Sequence, residues 1–215
     1  MARVARPGAQ NLRGKVKEPP RIAKARLRAQ FGERGKAFSP AERAEASARI
    51  CERLKQHPVW PEARSVFFFA PLPEEADIGP LLSEALRLGK LIALPRYSRS
   101  DDCYLPHRVA DLERDLQPGY FGIREPSRAC PAFALDQLDL TLVPGVGFGL
   151  NGGRLGRGKG YYDRLLARIS GWKCGVAFDW QVVSRVPVEP HDVCMDYLVT
   201  PTCWHEVRCR PDPLP

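Results

Sequence analysis

Between Val143 and Asp163 the chain reads Val-Pro-Gly-Val-Gly-Phe-Gly-Leu-Asn-Gly-Gly-Arg-Leu-Gly-Arg-Gly-Lys-Gly-Tyr-Tyr-Asp, placing eight glycines around Arg154, Arg157 and Lys159. Glycine lets backbone N–H groups turn inward and approach a ligand closely, so the segment reads as an anion cradle. The apolar run ahead of it and Asp163-Arg-Leu-Leu-Ala-Arg168 behind it predict strand, loop, then helix N-terminus, an order that suits a polyphosphate.

Known glycine motifs fit this loop incompletely. Gly147-x-Gly149-x-x-Gly152 has the letters of the dinucleotide fingerprint, but the expected helix start is replaced by three basic residues and further glycines, which argues against a nicotinamide site. Gly153 to Lys159 has most of a phosphate-binding Walker pattern, yet Gly160 stands where a hydroxyl should coordinate Mg²⁺. A nucleotide bound here needs its metal held by another group. Asp163, about one helical turn beyond Lys159, is the nearest carboxylate; the plainer reading is an exposed Lys159–Asp163 helix pair.

With 215 residues, 44% of them hydrophobic, the chain reads as one globular domain. It contains neither an apolar run of membrane-span length nor a secretory leader, so a soluble cytoplasmic protein is expected. Seven scattered cysteines without Cys-x-x-Cys predict reduced thiols, and Cys203, His205 and Cys209 lack a fourth ligand for zinc. The formal charge of +8 is concentrated early: nine cations within residues 1–28 face only Glu18. Residues 1–19, with almost nothing apolar, read as a flexible basic tail rather than an organelle-targeting segment, which would carry serine and an amphipathic repeat. Residues 20–205 are expected to form the α/β domain and 206–215 a C-terminal tail.

Helices are expected over residues 21–36, after Ser39-Pro40 with Glu42 completing a capping box, over 78–88 and over 161–169. Strands are expected at 66–69, 91–94, 138–143, 174–178 and 197–199, while 97–131 reads as a long connection with short extended segments. Alternating strands and helices predict a single-domain, open, mainly parallel α/β sheet flanked by helices in a Rossmann-like three-layer arrangement. Ligands of such sheets collect beyond the carboxyl ends of strands. That rule gathers Glu75 and Asp77, then Pro95-Arg96-Tyr97, and then the glycine loop.

Gly153-Arg-Leu-Gly-Arg-Gly-Lys-Gly-Tyr-Tyr-Asp-Arg164 resembles the signature of the 5-formyltetrahydrofolate cyclo-ligases, and further landmarks appear in family order. These are Lys24-Ala-Arg-Leu-Arg28, Glu75-Ala-Asp77, Gly89 to Pro95, Phe121-Gly-Ile-Arg-Glu-Pro126 and Val186 to Asp192, together spanning residues 20–200. The resemblance implies ATP-binding roles for Lys24, Arg28, Arg154, Leu155, Gly156, Arg157, Gly158, Lys159, Gly160, Tyr161 and Tyr162. It implies a folate site at Ala70, Glu75 and Phe121 shared with Arg157, Gly158, Lys159, Gly160 and Tyr161, and Mg²⁺ carboxylates at Asp163 and Asp192. Arg157 and Lys159 are the implied catalytic cations. The implied reaction is ATP-dependent cyclisation of 5-formyltetrahydrofolate to 5,10-methenyltetrahydrofolate through a phosphorylated formyl group, by a monomer needing neither nucleic acid nor membrane. The family carries Asp where this chain has Gly149, which bears on the local loop conformation.

On the residues alone, plainer readings stand beside these. Lys24 and Arg28 suit a solvated basic face, and Phe121 suits an ordinary core aromatic. Two other functions fit the cations: RNA binding by the tail and the glycine–arginine loop, or a small-molecule kinase or ATPase of another substrate. Serine and cysteine nucleophile arrangements are absent from the pattern, and His191 beside Asp192 is a weak general-acid candidate.

Overall fold

The structure, a computed structural model, describes residues 18–119 and 122–207. The first helix, α1 (Pro20–Lys36), has proline in its first turn, where a missing N–H costs nothing. In α2 (Pro40–Gln56), the Ser39 hydroxyl accepts from Glu42 N–H while the Glu42 carboxylate accepts from Ser39 N–H, the reciprocal cap expected from sequence. A single turn, α3 (Val59–Glu62), leads into β1 (Ser65–Phe67), α4 (Gly79–Arg87), β2 (Leu91–Ser98), β3 (Cys103–Val109), β4 (Leu116–Pro118), β5 (Arg124–Pro126) and β6 (Leu140–Val143). There follow β7 (Gly147–Gly149), β8 (Arg154–Leu155), α5 (Tyr161–Leu166), β9 (Trp172–Val176), β10 (Val182–Val183), β11 (Tyr197–Val199) and β12 (Trp204–Glu206).

Seven strands form the main sheet in the order β12-β11-β9-β6-β1-β2-β3. Its five inner strands are parallel and each edge strand is antiparallel to its neighbour. Alternation along β1 divides the core. Val66 and Phe68 join Ile92, Leu140, Leu142, Cys174, Val176 and Val199 under α2 and α4, whereas Phe67 faces Ala93, Val143, Leu198 and the α5 leucines Leu165 and Leu166. Helices or loops thus cover both faces, as the alternating pattern predicts.

The structure also corrects the sequence reading. Residues 97–109 are not simply connection: β2 continues through Ser98 and pairs with β3 from Ile92↔Val109 to Ser98↔Cys103, so Pro95 to Tyr97 lie inside a strand. Proline reduced the apparent strand signal here. Pro95 sits opposite Pro106, and β3 is the sheet edge, where a missing donor is tolerated. A small sheet, β10-β7-β8, interrupts the expected passage from β6 to α5. Helix α5 stops at Leu166, and the chain tightens to i→i+3 bonds from Arg168 and Ile169. The expected boundary at 205/206 falls within β12, with buried Val207 beyond it. Cys51, Cys103, Cys130, Cys174 and Cys203 are free thiols, but Cys194 is disulfide-bonded, contrary to the expectation of reduced thiols throughout.

Candidate active site

Consecutive strands run from β1 outward to β2 on one side and from β6 outward to β9 on the other, so the order reverses between β1 and β6. Beyond the carboxyl ends of this pair opens a cavity of about 700 Å³, the position at which open α/β sheets bind ligands. Ala70 reaches it after β1, and Pro144 with Gly145 reach it after β6. Lys24 and Arg28 approach from α1, Glu75 from the β1–α4 loop, every residue from Arg154 to Asp163 from the glycine loop, and Asp192 from the segment before β11. Of the site residues expected from sequence, Phe121 alone lies outside the described residues. Asp77 does not line the cavity; its carboxylate accepts from Gly79 N–H at the start of α4.

The glycines divide into two groups. Gly147 permits packing: a Cβ there would meet Phe31 Cε2 at 2.2 Å, so its bareness lets α1 lie against β7. Gly149 is similarly filled from outside, since Asn151 Oδ1 and Val186 N would lie 2.2 and 2.5 Å from a Cβ. Asn151 accepts from Val186 N–H and donates to Val186 O, occupying the space where the family aspartate would project. Gly152, Gly158 and Gly160, with φ of +81°, +95° and +67°, are the conformational glycines of the cradle, and the last two give the turn from loop into α5.

Arg154 and Arg157 each have an acidic partner, so a polyanion is not required to relieve their repulsion. Arg154, with a side chain 5% exposed, donates to Asp163 Oδ2 at 2.9 Å. Arg157 donates to Glu74 Oε1 at 2.6 Å and lies 3.5 Å from Glu75. The plainer reading of Asp163, a helix pair with Lys159, gives way to its contact with Arg154. Lys159 Nζ sits over the Tyr161 ring at 5.9 Å. Arg28 donates through Nε to Gly156 O at 2.9 Å, tying α1 to the loop.

Lys24 is not a solvated basic side chain. Its ammonium bridges Glu189 at 2.7 Å and Asp192 at 2.5 Å. Burial works against its charge, yet hydrogen bonds to Asp192 and Glu189 outweigh burial and raise its pKa. The Glu75 pKa is raised as well, but here burial is the cause and disfavours the charged form, despite a bond from Leu72 N–H and the nearby Arg157. Tyr104 also lines the cavity, and burial together with nearby carboxylates pushes its hydroxyl up to about 12.

Glu189, His191 and Asp192 place one ligand atom each within 4.8 Å of one another. Two carboxylates with one imidazole form a donor set compatible with a hard divalent cation, and Asp192 is the member that the sequence singled out. Asp163 is not in this cluster. Sequence reasoning missed Glu189 and Tyr104, although Glu189 stands three residues before Asp192 in a proline-rich segment, where a carboxylate has little packing purpose.

Residues 21–201 match the family described as 5-formyltetrahydrofolate cyclo-ligase family. The chain is 30% identical over 177 residues to "5-formyltetrahydrofolate cyclo-ligase" of Escherichia coli strain K12, spanning 79% of this chain and 96% of that protein. It is 29% identical over 193 residues to the Mus musculus protein of the same name, spanning 81% and 91% respectively. A solved structure of Aquifex aeolicus 5,10-methenyltetrahydrofolate synthetase is similar with TM-score 0.78 and 34% identity, over 89% of this chain and 96% of that one. On this sequence match, and with the same fold around the cleft, the chain belongs to the 5-formyltetrahydrofolate cyclo-ligase family.

Proposed function

We propose that the protein cyclises 5-formyltetrahydrofolate to 5,10-methenyltetrahydrofolate, consuming ATP and releasing ADP and phosphate. The observation that carries this reading is the convergence, on one cavity of a cyclo-ligase family member, of the cationic glycine loop, Lys24, Arg28 and buried Glu75. The formyl oxygen is a poor leaving group. In the proposed sequence it attacks the γ-phosphorus of ATP and ADP departs. The N10 amine then attacks the formyl carbon and loses its proton, and the former formyl oxygen leaves as part of phosphate. This chemistry needs positioned cations rather than a protein nucleophile.

Arg157 and Lys159 stabilise charge on the transferring phosphoryl group. Arg154 and Arg28 hold the loop in place, Arg154 through Asp163 and Arg28 through Gly156 O. Lys24, released from its carboxylates, contacts the nucleotide phosphates. Glu75 receives N–H groups of the folate ring and, with Ala70 and Phe121, orients it. Mg²⁺, held through Asp192 and Asp163, would neutralise polyphosphate charge when bound. The cations face a cavity, which supports a small polyanionic substrate over nucleic acid. Among the described residues, no helix is long and apolar enough to cross a membrane. The reading includes a monomeric, cytoplasmic enzyme.

The test is absorbance of the methenyl product in the near ultraviolet, followed with ATP, Mg²⁺ and 5-formyltetrahydrofolate added together or singly. Product should appear only with the complete mixture and in proportion to ADP. ADP formation without methenyl product would leave an ATPase and remove the folate reading.

A further inference from the structure

The β2–β3 hairpin turns at residues 99–102, and Asp102 has φ +46°, the one positive φ at a non-glycine position among the described residues. Aspartate adopts the left-handed region more readily than most residues, so the turn alone does not require a function. What the turn touches is the second observation. Groups near and far along the chain converge on Asp102. Its Oδ1 accepts from Tyr161 Oη at 3.1 Å and from Tyr97 Oη at 2.6 Å, while its backbone O accepts from Arg164 Nη2 at 2.7 Å. Those hydrogen bonds hold the Asp102 carboxyl below its ordinary range.

Tyr161 begins α5 immediately after Gly160, whose φ is +67°, and α5 has no side-chain cap of its own. The loop bearing Arg157 and Lys159 is therefore tied at its start by Arg28 to Gly156 O and at its end by Asp102 to Tyr161. The orientation of the Tyr161 ring matters because Lys159 Nζ lies over it, 5.9 Å from the centroid. A second ring contact, Tyr97 to Tyr161 at 5.8 Å, belongs to the same fastening. We infer that Asp102 is a positioning residue: from the tip of the edge hairpin it fixes Tyr161, and through Tyr161 it sets where Lys159 stands in the cavity.

This inference rests on the proposed role of Lys159 in phosphoryl transfer, so the experiment has one readout that needs no activity. Asp102→Gly keeps the left-handed turn and removes the acceptor, whereas Asp102→Asn keeps both an acceptor and a tolerated turn residue. Limited trypsin digestion of the full chain should cut after Arg157 and Lys159 faster in Asp102→Gly than in wild type, and at the wild-type rate in Asp102→Asn. In turnover, Asp102→Gly should lower kcat about fivefold, the scale of two exposed hydrogen bonds, with the KM for ATP unchanged and Asp102→Asn restoring the rate. In a Lys159→Ala background, Asp102→Gly should change kcat no further. Wild-type cleavage of the loop in Asp102→Gly, or equal impairment in the asparagine variant, would overturn the latch. Altered cleavage with no wild-type cyclisation would retain the latch as a structural tie and remove the proposed function instead. A loss confined to the KM for ATP would overturn the link to Lys159.

Discussion

Lys24 Nζ stands 2.5 Å from Asp192 Oδ2, joining in one ion pair the N-terminal cation read as a phosphate ligand and the carboxylate read as a metal ligand. Both side chains are largely buried, and the same ammonium also reaches Glu189. The pair balances charge on this side of the cleft. On the proposed function, ATP binding with its cation would exchange partners rather than create bare charges: Lys24 would turn to phosphate as Asp192 turned to the metal, making the two binding events mutually favourable.

The raised pKa of Lys24 gives this pair a defined pH signature. For a base whose pKa is raised on folding, the stabilising contribution is present below the unfolded-state value, near 10.5, and is lost as pH rises through the folded-state value. Denaturation of the ligand-free protein should therefore show a wild-type decline above pH 10.5 that Lys24→Met lacks in part. At neutral pH that variant should be less stable by about 1–3 kcal/mol, because Asp192 and Glu189 lose their cation. Equal stability of the two proteins at neutral pH, with parallel declines above 10.5, would exclude a stabilising pair.

Asp163 serves Arg154 in the same way, so its substitution should have two separable effects. Asp163→Asn retains a carbonyl acceptor but removes the charge beside a guanidinium that is 5% exposed. We expect a loss of about 2 kcal/mol in the metal-free protein and a rise of about tenfold in the Mg²⁺ concentration for half-maximal turnover. Asp192→Asn should raise the Mg²⁺ requirement similarly. An unchanged Mg²⁺ requirement in both variants would remove these carboxylates from the metal site.

Much of this architecture was legible because local signals agreed with one another. The Ser39–Glu42 cap, the apolar run of residues 66–69 and the glycine cradle each carry their own composition or turn chemistry. The β2–β3 hairpin was not, because Pro95 and Pro106 conceal a strand pair whose edge position exists only in the assembled sheet. The glycines were legible as a loop but not in their division of labour. That Gly147 accommodates Phe31 and Gly149 accommodates Asn151 depends on where α1 and Val186 come to rest. Likewise, the acids that neutralise Arg157 and Lys24 are distant in sequence: Glu74 precedes the loop by 83 positions, and Asp192 follows Lys24 by 168.

Glu75 should set the acid limb of the pH profile. Burial raises its pKa above the ordinary 4.5, so the carboxylate proposed to bind folate is present above that raised value and lost as pH falls through it. The acid limb of kcat/KM for 5-formyltetrahydrofolate should accordingly lie above pH 4.5. Glu75→Gln should lower kcat/KM by roughly 10–100-fold and abolish that limb, because the amide presents the same shape without a titrating charge. A glutamine variant with the wild-type profile shape would assign the limb to another group.

The loop cations and the α1 cations should separate kinetically, with one exception that the geometry imposes. Arg157 and Lys159 are proposed to meet charge that develops on the transferring phosphoryl group, so Arg157→Ala or Lys159→Ala should depress kcat, by about 100-fold for a transition-state contact. Lys24→Ala should chiefly raise the KM for ATP, since a contact made equally in ground and transition states changes binding alone. Arg28 belongs to α1 but holds Gly156 O at 2.9 Å, at the base of the loop. Arg28→Ala should therefore move both constants, and Arg28→Lys should not restore kcat, because an ammonium cannot reproduce the planar Nε–H contact. Steady-state kinetics over a matrix of ATP and folate concentrations decides this. If Arg28→Ala changed only the KM for ATP, the bond to Gly156 would be incidental and the loop would hold its shape without α1.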